Sequence, residues 1–60
     1  MVRYVIKIWD EKNKIWYTRA VEKTQKKALK LAEMYRHDGE QEIMIKKVSK
    51  NGKVIDAYPV

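Results

Sequence analysis

Cysteine is absent, histidine occurs once, and 60 residues hold only two glycines and one proline. Without cysteine there is no disulfide framework and no sign of an oxidising compartment. With His37 alone and no thiolate, a structural metal site is closed off as well. No apolar run approaches the length of a signal-peptide core or a membrane-crossing helix, so the sequence predicts a soluble, cytoplasmic protein with no membrane partner. A chain this short buries only about 60% of the surface its unfolded form exposes. A core of that size rarely supplies more than roughly 3–5 kcal/mol. The length therefore allows a single domain, residues 1–60, held by packing alone or by packing plus a second subunit.

The same scarcity bears on chemistry. Catalysis needs positioned groups with complementary roles, and the chain has one histidine (His37), one serine (Ser49) and no cysteine to serve as a nucleophile. His37 falls near a predicted helix end, where an imidazolium interacts favourably with the helix dipole. Asp10, Asp38 and Asp56 are scattered, with no ligand spacing between them, and Gly39 and Gly52 suit a helix cap and a turn, not a phosphate loop. The expectation is a binding protein with no catalytic residues, no metal and no cofactor.

What the chain does have is positive charge: 14 basic against 8 acidic residues, net +6. By segment it is +3 over residues 1–21, +3 over 22–37, −2 over 38–41 and +2 over 42–60, so it is spread through the fold and belongs to the folded surface. A surface of this kind points to an acidic partner, with nucleic acid first and an acidic protein second.

Alternation of period two marks strands from Val2 to Trp9, from Lys14 to Val21, and from Gln41 to Ser49. A fourth strand follows Asn51-Gly52, a pair suited to a two-residue type I′ hairpin turn. Pro59 cannot donate to a ladder, which suits an edge strand. Between the hairpins, Ala28, Leu31, Ala32 and Tyr35 recur at helical spacing, with Thr24 as N-cap and Gly39 as C-cap, predicting a helix from Gln25 to His37. The fold class is α+β, in the order β-β-α-β-β: an antiparallel sheet of two hairpins with one helix packed on one face.

A four-residue loop Asp10–Asn13 would pair Ile8 with Ile15, Ile6 with Tyr17, Tyr4 with Arg19 and Val2 with Val21. The second hairpin would pair Ser49 with Val54, Val48 with Ile55, Lys47 with Asp56 and Ile45 with Tyr58. The helix then covers a face bearing Val2, Ile6, Ile8, Ile15, Tyr17, Val21, Ile43, Ile45 and Tyr58. The other face is left with Val5, Trp9, Trp16, Thr18, Met44, Val48 and Ile55, interspersed with Arg3, Lys7, Lys14 and Lys46. An uncovered face rich in large apolar groups marks an interaction site.

Aromatic rings set among cations can stack bases while neutralising phosphates. Arg3, Lys7, Trp9, Lys14, Trp16, Thr18 and Lys46 are therefore the expected nucleic-acid-binding residues. A secondary basic patch is expected from Lys26, Lys27 and Lys30 on the helix and from Lys47, Lys50 and Lys53 at the second hairpin. The alternative is a protein-binding adaptor or inhibitor that uses the Trp-bearing face or an edge strand. A homodimer through that face would bury apolar area a chain of this size needs.

From Tyr4 to Tyr35 the chain resembles small ββα proteins of phages and mobile elements. The marks are a Trp-ended first strand, the polar turn Asp10–Lys14, a Trp16-Tyr17 strand, and Thr24-Gln25-Lys26-Lys27-Ala28. This last piece is similar to the T-x-x-x-A helix opening of the arm-type DNA-binding domain of tyrosine integrases. In that family the sheet face enters the DNA major groove, which would implicate Arg3, Lys7, Trp16 and Thr18. That family's sheet usually has three strands before its helix, whereas this chain has two before and two after.

Overall fold

The computed structural model describes residues 1–60, arranged as β1 (Arg3–Asp10), β2 (Ile15–Glu22), α1 (Gln25–His37), β3 (Ile43–Val48) and β4 (Val54–Pro59). The strands form one sheet in the order β2-β1-β3-β4, with every neighbouring pair antiparallel. The first strand thus lies inside the sheet, with β2 and β3 parallel to each other on either side of it. The helix connects those two flanking strands and packs on one face. No helix is long and apolar enough to cross a membrane.

Local chemistry sets both ends of α1. Thr24 is extended (φ −128°, ψ 149°), and its hydroxyl accepts from the Lys27 amide at 3.3 Å. At the other end Gly39 takes φ 109°, the Gly39 amide donates to the Arg36 carbonyl and the Glu40 amide to that of Tyr35. These two bonds make a Schellman cap, which needs the left-handed residue that glycine supplies. Ala28 and Ala32 are fully buried against Ile6, Ile8, Ile43 and Ile45, their small side chains letting the helix approach closely. Leu31, Tyr35, Tyr4, Ala20, Tyr58 and Val60 pack around this centre. The Gln25 amide side chain donates to the Tyr58 hydroxyl at 3.1 Å, tying the helix start to β4. Only seven residues are buried, so the chain has little stability in reserve.

The first hairpin departs from the expected register. Ile8 stands opposite Tyr17, not Ile15, and Trp9 opposite Trp16. Asp10 is the cause: its carboxylate accepts from the Lys12 and Asn13 amides and from the Asn13 side chain, which makes Asp10 the anchor of the turn. The loop becomes Glu11–Lys14 and closes with Lys14 in the left-handed region at φ 55°. A shift of two leaves each side chain on its expected face. The exception lies past Arg19, where Ile6 pairs with Ala20 and Lys7 with Thr18, so Arg19 is bulged out. Its guanidinium sits over the Tyr35 ring, 4.9 Å from the centroid. Beyond the bulge the faces swap. Ala20 faces the helix, and Val21, expected in the core, stands opposite Val5 on the other side. Tyr4 meets Glu22 instead of Arg19.

The second hairpin keeps its expected pairing from Met44–Pro59 to Lys47–Asp56. Its turn is different. Asn51 lacks the positive φ of a type I′ turn, and Gly52 alone adopts it, at 84°. The Gly52 amide donates to the Ser49 carbonyl and the Ser49 amide to that of Lys53, enclosing three residues. The Ser49 hydroxyl accepts from the Lys53 amide. With the extra residue in the turn, Val48 pairs with Val54, leaving Ile55 as a bulge. Pro59 lies on an edge strand, where its missing N–H costs no ladder bond.

Candidate nucleic-acid interface

The strand registers assemble the helix-free face row by row, since directly opposed residues share a side. Trp16 and Trp9 form the first row, and Thr18, Lys7, Met44 and Pro59 the second. Val21, Val5, Lys46 and Ala57 form the third, then Arg3, Val48 and Val54 the fourth. Charge is divided by face. Asp10, Glu22 and Asp56, the acids within strands, all fall on the helix side, opposite Ile15, Tyr4 and Lys47 respectively. The strand residues of the open face carry Arg3, Lys7 and Lys46 and no acid.

Trp9 and Trp16 pack edge to face, with ring centroids 5.6 Å apart and planes at 60°. The Trp9 indole N–H donates to the Glu11 carboxylate at 2.7 Å, and Glu11 also pairs with the Lys14 ammonium. The Lys14 contact first, and the indole second, hold the Glu11 carboxyl below its ordinary value. Asp10 is likewise lowered, chiefly by the Asn13 side chain, against an opposing desolvation, with the Asn13 and Lys12 amides adding less. Val48 is 9% exposed although no helix covers it; it is not part of the core under the helix, so the open face buries it among its own neighbours.

Of the residues expected to bind, Arg3, Lys7, Trp9, Trp16, Thr18 and Lys46 share this face. Lys14 does not: it belongs to the turn and is engaged by Glu11. Ile55, expected on the same face, is displaced by its bulge. The secondary basic residues form no single patch. Lys26, Lys27 and Lys30 line the exposed side of α1, Lys47 stands on the helix side between Tyr4 and Asp56, and Lys50 and Lys53 belong to the second turn.

Two features at the ends of the sheet emerge only from the fold. Beyond Trp9, at that end of the sheet, lies an open groove of about 960 Å³ whose lining includes Trp9, Tyr17, Lys12 and the acids Asp10, Glu11, Glu40 and Glu42. It gathers the first turn and the segment after the helix. At the opposite end, Met1, Arg3 and Lys50 line a cleft of about 420 Å³. Neither could be placed without the strand order, which puts β1 beside β3. Ser49 is engaged in its turn, and no three His, Asp or Glu side chains converge to hold a metal ion.

No protein-family model matches this chain, and comparison with curated proteins and with solved structures finds no similar one.

Proposed function

We propose that this is a small, non-enzymatic nucleic-acid-binding module that works through the helix-free face of its sheet. One observation carries the reading: that face joins an aromatic pair to three cations, while the strand acids all lie on the other side. Rings that can stack on bases and cations that neutralise phosphates are what nucleic-acid-binding sheet faces combine. The four residues implied by the integrase resemblance, Arg3, Lys7, Trp16 and Thr18, stand on this same face, with Arg3 two rows from Lys7 and Thr18.

The test is fluorescence anisotropy of labelled DNA and RNA over a salt series from about 50 to 300 mM, where released counterions weaken phosphate contacts steeply. Binding that weakens with salt and is lost on replacing Lys7 and Lys46 by glutamine supports the reading. Absence of binding at the lowest salt, or affinity unchanged across the series, refutes it. A protein partner is favoured by one feature alone, the apolar groups Val5, Val21 and Met44 beside the cations. Such a complex would be lost with Trp9 and Trp16 yet respond little to salt.

A further inference from the structure

The open face has a layout that chooses between nucleic-acid forms. Its cations stand only on the two central strands: Lys7 and Arg3 on β1, Lys46 on β3. They occupy three successive rows, each about 7 Å from the next, since a strand advances roughly 3.3 Å per residue. The edge strands offer the face no charge, only Trp16, Thr18 and Val21 on β2 and Val54, Ala57 and Pro59 on β4. A duplex presents two backbones and is gripped from both flanks; this face has one central line of charge. Width points the same way. Four strands span about 14 Å before side chains are added, more than the roughly 12 Å of a major groove that admits a helix or a two-stranded ribbon.

The ends of the line are also unlike. Beyond Arg3 it continues into the cleft lined by Met1 and Lys50. Beyond Trp9 it meets a groove that holds four carboxylates to one lysine, Lys12. Glu11 is already paired with Lys14, which leaves Glu42, beside Trp9 just before β3, to repel a phosphate. A backbone can follow the cations toward Arg3, whereas the other direction meets the Trp rings and Glu42. The Trp pair therefore forms the closed end of the track, where an unpaired base can stack.

We infer that this site takes a single strand of DNA or RNA, with a base on the Trp9–Trp16 pair and its backbone running over Lys7 and Lys46 to Arg3, the acidic groove barring the other direction. This rests on the nucleic-acid reading above and goes on to name the form bound. Three phosphates neutralised on a single strand give a log–log salt slope of about −2, or an affinity loss of about 20-fold for a fourfold rise in salt.

The experiment measures anisotropy of fluorescein-labelled oligo(dT), oligo(rU) and a DNA hairpin duplex against the whole chain and three variants. The expected result is single-strand binding at least tenfold tighter than duplex binding. Trp16→Ala should weaken it by about 5- to 150-fold, the range for one stacked base, and Trp16→Tyr should restore most of it. Lys46→Gln should make the salt slope shallower by about 0.7. Glu42→Gln should tighten binding by removing the barrier charge. Lys46 and Glu42 lie outside the buried core, so their variants remain informative if Trp16→Ala fails to fold. Duplex binding equal to or tighter than single-strand binding overturns the inference while leaving the nucleic-acid reading standing, and so does a Glu42→Gln variant that binds more weakly. Absence of binding to all three probes removes both.

Discussion

The first turn of α1 carries the wrong charge for a helix start. It has no acidic residue, while Lys26 and Lys27 sit where the partial positive charge of the macrodipole favours an anion. Thr24 already supplies half of a capping box, its hydroxyl accepting from the Lys27 amide, and position 27 is the one from which a Glu side chain would reach back to the Thr24 amide. Replacing Lys27 by Glu thus removes an unfavourable cation, adds a favourable anion and completes the box. At an exposed site each charge change is worth about 0.3–0.5 kcal/mol, and the added cap bond brings the total to about 1 kcal/mol. For a domain of this size that raises the melting temperature by about 4–8 °C. Thermal melts followed by far-UV circular dichroism, in low salt and in about 1 M salt where screening acts within roughly 3 Å, separate the parts: the charge contribution fades and the hydrogen bond persists. Lys27→Gln should supply the bond and remove the cation without adding an anion, giving a smaller gain that depends less on salt. A Lys27→Glu variant no more stable than the parent in low salt would refute the assignment of Thr24 as the cap. Because Lys27 is on the helix side, its replacement should leave the proposed stacking face intact, so under the nucleic-acid reading oligonucleotide affinity should change only through net charge.

Ile45 is fully buried at the centre of the core, so Ile45→Ala should cost about 2–5 kcal/mol, enough to unfold most of the chain; Ile55→Ala, at a bulged position 53% exposed, should cost under about 0.5 kcal/mol. Urea titrations followed by circular dichroism decide between them, and equal costs would disprove the placement of the core. Gly39→Ala meets no atom within 4 Å, so its cost is backbone strain alone, about 1–2 kcal/mol, seen as a lower urea midpoint with unchanged slope. Asp10 and Glu11 titrate below their ordinary values when folded, so the folded state holds fewer protons than the unfolded state in acid. Their stabilisation is full above the usual carboxylate range and is lost as pH falls through the lowered values. Melting temperature should therefore drop on acidification, and less steeply in Asp10→Ala. Deleting the bulged Arg19 should leave Thr18 opposite Lys7 and Ala20 opposite Ile6, costing roughly the 0.5–1 kcal/mol of its contact with Tyr35. Deleting Val5 from unbulged β1 should turn Arg3 and Tyr4 onto each other's faces and unfold the chain.

The elements most legible in the sequence are those whose ends are set by local chemistry. The bounds of α1 follow from the Thr24 hydroxyl and the left-handed Gly39, and both stand where the residue types place them. The first register illustrates the limit of pattern reading. Moving one strand by two residues keeps every side chain on its face, so period-two alternation places Trp9, Trp16, Lys7 and Thr18 on one side without telling Ile8–Ile15 from Ile8–Tyr17. The Asp10 side chain decides between those pairings, and its bonds to Lys12 and Asn13 fix the turn. Both bulges lay beyond reach for a different reason. Arg19 leaves its strand for the Tyr35 ring, sixteen positions away in sequence, and Ile55 leaves the ladder once the Gly52 turn takes in a third residue. The expectation that Val21 would be buried failed with the first of these. The acidic groove needed the strand order, since its carboxylates converge only when the first turn and the segment after the helix share one end of the sheet.

Stability and the proposed binding role meet in the Trp pair. An edge-to-face contact of this kind contributes about 0.5–1.5 kcal/mol beyond area burial, a sizeable share of what a chain with six residues in its core cluster holds. The rings that could stack on a base therefore also close the first hairpin. Truncating either one changes fold and face together, so a loss of binding in Trp16→Ala alone cannot separate the two roles. Exchange of one aromatic for another can. Trp16→Tyr keeps a ring against Trp9 and a face toward solvent, while Trp16→Leu keeps apolar bulk and removes the π surface. If Trp16→Leu melts like the parent but no longer binds oligo(dT), stacking carries the affinity. If both variants bind in proportion to their stability, the pair acts only as a brace for the hairpin, and the affinity resides in Lys7, Lys46 and Arg3.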